Sequence, residues 1–110
     1  MKQYVIDELR LCDHQKIKDH LDEHFRGSKV EGIYWIPIEP ECLTPVQAEH
    51  KSCQPHYFSI SLDEKYLACE LLVRTHNKMR CDCMGYADES QRERIIRFAD
   101  SLLETLGIQI

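Results

Sequence analysis

Cysteine and histidine, six of each in 110 residues, are the side chains of this sequence best equipped for chemistry. His50, Cys53 and His56 follow one another at intervals of three, and Cys81 and Cys83 make a Cys-x-Cys pair. Zinc takes four nitrogen or sulfur ligands, and two local clusters brought together by a fold are a common way to build a structural site. The mixture of thiol and imidazole makes zinc the first ion to expect. The spacing argues against it, because structural sites favour ligand pairs separated by a turn. Neither His-x2-Cys-x2-His nor a strand-borne Cys-x-Cys has that form. Cys42 stands nearby as a spare thiol.

The same residues have a plainer reading. Free cysteine behaves as a small hydrophobe, so Met79, Cys81 and Cys83 would serve equally well as core beside Phe58, Ile60 and Cys69. We favour that reading on sequence alone, with the metal site second and a redox-active thiol pair third. Activation of a thiolate needs a helix N-terminus or a cation close by, and only the helix beginning near Asp88 could supply one. A Cys53 nucleophile with His56 or His50 as base is a remote further option. There is no phosphate-cradling glycine loop, no Gly-x-Ser-x-Gly and no His-Glu-x2-His, so the chain leans away from enzymes.

The leading functional expectation is therefore a binding or self-assembly module that acts without catalysis. The polar side of the central strands carries Tyr57, Leu72 and Met84 among Arg74, Glu70, Arg80 and Asp82. This resembles the apolar centre and charged rim of an interface with a protein partner or a second copy. A formal charge of -5 excludes nucleic acid and anionic membrane as main partners, since phosphate binding needs clustered Lys and Arg. The charged opening residues and the lack of a long apolar run suggest neither export nor a membrane span, and so a cytosolic protein with reduced thiols.

The elements that must position these residues read as β-α-β-α-β-β-β-α in a single domain over residues 1–110. Gln3 to Leu11 alternates as a strand. Asp13 caps a helix with Ile17, Leu21 and Phe25 on one face, stopped by Gly27; His14, His20 and His24 on it read as solvent-facing. Val30 to Ile38 is apolar enough for a strand buried on both faces, with Trp35 as core. Thr44-Pro45-Val46-Gln47 is a capping box that opens a short helix to about Ser52. Gln54, before Pro55, should be extended.

The three following strands form a meander. A loop over Asp63 to Tyr66 sets Leu62 against Leu67, Ile60 against Cys69 and Phe58 against Leu71. The second turn lies around His76-Asn77-Lys78. With three residues in it, Val73 faces Cys81 and Leu71 faces Cys83, which buries both thiols; with two, they move to the polar face. The buried register is preferred because it leaves Arg80 and Asp82 in solvent. Asp88 and Gln91 form a second capping box, opening a helix whose stripe is Ile95, Ala99, Leu102 and Leu106, ended by Gly107. The fold expected is α+β: a two-layer sandwich of about five mostly antiparallel strands with helices mainly on one face.

Overall fold

The computed structural model describes residues 1–25, 28, 30–75 and 81–109. Its elements are β1 (Gln3–Ile6), α1 (Leu11–His24), β2 (Ile33–Pro37), α2 (Pro45–Glu49), β3 (His56–Leu62), β4 (Leu67–Glu70), β5 (Leu72–Thr75), β6 (Gly85–Tyr86) and α3 (Glu89–Thr105). Single 3-10 turns flank α2, at Pro40–Cys42 before it and Lys51–Cys53 after it. The class is α+β as expected, with an antiparallel sheet of six strands rather than about five. Among the described residues no helix is long and apolar enough to cross a membrane.

β3 is the spine of the sheet. β2 runs along one edge, with Tyr34 opposite Ile60 and Ile36 opposite Phe58. Along the other edge lie β4 and then β5. The first hairpin has the expected register, with Leu62 opposite Leu67 and Ile60 opposite Cys69. It does not continue to Phe58 and Leu71. Tyr57 pairs with Arg74 and His56 with Thr75, so the strand breaks at Leu71 and resumes at Leu72 with its pairing to β3 shifted by two residues. Leu71 instead gives its N–H to the Lys2 carbonyl (3.1 Å) and takes the Ala87 N–H on its own carbonyl (2.7 Å). A break of this kind splits one expected strand into β4 and β5; being even in length, it keeps Cys69 and Val73 on the same face.

That face is the core side. Tyr34, Ile36, Phe58, Ile60, Cys69 and Val73 from the sheet join Ile17 and Leu21 of α1 and Ile95, Ala99, Leu102 and Leu103 of α3 in one buried cluster. Burying each Ile or Leu contributes about 1.5–3 kcal/mol, against about 0.5–1.5 kcal/mol for a hydrogen bond. The apolar stripes therefore hold α1 and α3 in place, and polar contacts such as Tyr4 Oη to Asp100 (2.7 Å) set their orientation.

Several boundaries differ from expectation. β1 ends at Ile6 because Glu8 adopts a left-handed φ of 59°. That turn points Leu9 into the core, where its N–H reaches the Lys65 carbonyl at 2.9 Å. Arg10 rather than Asp13 is the N-cap of α1; Asp13 sits at N3 and accepts from the Arg10 N–H (3.1 Å) and guanidinium (3.0 Å). β2 is buried on one face only, and Trp35 is half-buried on the other, its ring 5.1 Å from that of Tyr57. The helix expected to Ser52 stops at Glu49, and a 3-10 turn completes it. Gly107 does end α3, at a φ of 70° that favours glycine.

Candidate metal centre

The largest difference lies at Cys81 and Cys83, which belong to no strand. They occupy a turn closed by the Met84 N–H on the Cys81 carbonyl at 3.0 Å. β6 begins only at Gly85, which pairs with Val73, the residue expected opposite Cys81. Both registers weighed for the second hairpin are thereby corrected; its loop at His76 to Lys78, with Met79 and Arg80, lies outside the described residues. Asp82, a turn former depleted in strands, sits within that turn and outweighs the alternation that suggested a strand. A turn, unlike a strand, is where structural metal sites place their thiol pairs, here with one residue between the thiols in place of the usual two to four.

Cys53 reaches this turn from the end of the 3-10 turn after α2. Its carbonyl accepts the Thr75 hydroxyl at 2.6 Å, which ties it to the end of β5. The sulfurs of Cys53, Cys81 and Cys83 then lie within 4.8 Å of one another. Cys53 and Cys81 are 3.8 Å apart. Zn–S bonds of about 2.3 Å in a tetrahedron place sulfurs about 3.8 Å apart, so this edge already has the length a zinc ion requires.

Electrostatics distinguish the three thiols. The Cys81 thiol is held down to about 7, chiefly because the Cys83 N–H donates to its sulfur, with the Cys83 and Cys53 thiols and the nearby His50 adding to the effect. Burial pushes the Cys83 thiol up to about 12, and its hydrogen bond to Cys81 acts in the same direction. The first proton therefore leaves Cys81, the half-exposed member, and its two buried neighbours stabilise the thiolate. Cys69, wholly in the core, is likewise raised to about 12 by burial and lies outside the group.

Buried glutamines hold the turn. Gln47 and Gln91 each occupy N3 of a capping box, closed by Thr44 and Asp88 respectively. Gln91 Nε2 donates to Gln47 Oε1 at 2.8 Å and to the Cys42 carbonyl at 3.0 Å. Gln47 Nε2 in turn donates to the Cys83 carbonyl at 3.3 Å. The starts of α2 and α3 are thus linked through two amides to the backbone of a thiol ligand. Sequence reasoning found both capping boxes and missed that they join.

The histidines sit apart from the sulfurs. His50 is half-buried at the end of α2, with Nδ1 2.6 Å from the Val46 carbonyl. His56 is fully buried opposite Thr75, burial lowers its pKa, and among the described residues neither ring nitrogen has a hydrogen-bond partner. Neither imidazole falls within the 4.8 Å group. Cys42, the spare thiol, is also outside it.

Of the residues read as an interface, Tyr57, Leu72 and Arg74 share the outer sheet face and Met84 precedes β6. Tyr57 is buried beneath Trp35, Arg74 pairs with Glu70 at 2.9 Å, and Leu72 and Met84 are half-buried. Tyr86, opposite Leu72, remains exposed. Comparison with protein-family models, curated proteins and solved structures gives no match for this chain.

Proposed function

We propose that the protein binds one thiophilic metal ion, zinc in the first instance, through Cys53, Cys81 and Cys83. The observation that carries this reading is the mutual approach of three sulfurs to within 4.8 Å. A trio serving only as core would be uniformly buried and protonated, whereas Cys81 is half-exposed and ionises near neutrality. Zinc would replace the thiol protons and satisfy all three sulfurs at once. A reducing compartment, the cytosol, suits three thiols held this close.

A binding or self-assembly role has less support. Of its four expected contacts, Tyr57 is already buried and Arg74 is already engaged by Glu70. The metal reading is tested by elemental analysis of protein purified without chelators, followed by zinc titration of the metal-free form against a chromophoric chelator. One zinc per chain is expected, and Cys81→Ser and Cys53→Ser should weaken it by more than the roughly 10–100-fold that loss of an outer partner costs. A wild type without stoichiometric zinc, or serine variants that bind as the wild type does, would contradict the reading.

A further inference from the structure

We infer that His50, through Nε2, is the fourth ligand, so that the centre is a closed Cys3His site; this rests on the metal reading above. The first support is position. The Cys53 N–H donates to the His50 carbonyl at 3.0 Å, so the two residues open and close one 3-10 turn. That bond holds the His50 backbone within one turn of the Cys53 thiol.

The second support is the tautomer. A carbonyl only accepts, so the 2.6 Å contact with Val46 places the proton on Nδ1 and leaves Nε2 with a free lone pair. A metal-bound imidazole characteristically gives its other N–H to a backbone carbonyl, which orients the ring and raises its basicity.

His56 is the competing imidazole, and its two unpartnered nitrogens would gain from a metal. Both rings lie outside the sulfur group, so whichever one ligates must move. A half-exposed ring at a helix end moves without repacking the core, and a fully buried ring does not. Four protein ligands leave no position open for water, which makes the centre structural rather than hydrolytic. It would fasten the end of α2 to the turn that leads into β6.

Cobalt(II) replaces zinc in such sites and reports its ligands in the visible spectrum. The metal-free wild type titrated with cobalt should give intense tetrahedral d–d bands and a sulfur-to-cobalt charge-transfer band, saturating at one equivalent. His50→Ala, with its fold checked by circular dichroism, should keep the charge-transfer band while its d–d bands shift and weaken. A His50→Ala spectrum that superimposes on the wild type would overturn the inference, and so would His56→Asn reproducing the shift. Imidazole nitrogen-15 spectra of the zinc-bound wild type need no variant. Nε2 of His50 should move on metal binding and both nitrogens of His56 should stay; the reverse overturns the assignment. A wild type with no charge-transfer band would instead remove the metal reading itself.

Discussion

At the scale of single residues, Cys81 decides what the cluster can do. Its thiol ionises near 7 because the Cys83 N–H and the neighbouring thiols donate to it. The reactive thiolate therefore accumulates as pH rises through about 7 and is lost as pH falls through that value. Alkylation of the metal-free protein, read by peptide mass, should modify Cys81 first with a midpoint near 7, and leave the buried Cys69 and Cys83 unreacted. A midpoint no lower than that of an ordinary thiol would contradict this electrostatic picture. Residue types here were legible in the sequence: the candidate set contained all three sulfurs that meet. What could not be read was where their side chains point, because Cys-x-Cys was taken as part of a strand. The turn former Asp82 carries the contrary signal.

At the scale of elements, the two capping boxes were legible and their connection was not. Thr44 with Gln47 and Asp88 with Gln91 follow from local spacing, since a cap is satisfied within one helical turn. The Gln91 to Gln47 bond spans positions far apart in the chain and depends on how α3 packs across the sheet. Gln47→Ala would leave the Thr44 N–H without its acceptor and the Gln91 amide with only the Cys42 carbonyl, and would free the Cys83 carbonyl. We expect a loss of about 1–3 kcal/mol in denaturant unfolding, and zinc affinity about 10–100-fold weaker by chelator competition. Affinity unchanged from the wild type would show that the turn needs no such support. By contrast, Ile95→Ala removes buried α3 stripe and should cost about 2–5 kcal/mol in the same unfolding experiment. The first hairpin is legible because alternation fixes its register; the break at Leu71 is not, since Lys2, just before β1, and Ala87, just after β6, create it.

At the scale of the whole molecule, the sheet and two amphipathic helices supply one core, and the thiol cluster joins the 3-10 turn after α2, the shortest α-helix, to the turn before β6, the shortest strand. Short elements bury little, so a metal there would secure the part of the fold least able to hold itself. Zinc at 100 times its Kd should add about 2.7 kcal/mol of stability, on the order of 10 °C in Tm for a chain of this size. A melting temperature indifferent to zinc and to chelator would contradict that role. The most direct measurement is X-ray absorption at the zinc edge on protein loaded with one equivalent. The account predicts three sulfur neighbours at about 2.3 Å and one nitrogen at about 2.0–2.1 Å. A shell of oxygen and nitrogen alone would contradict it.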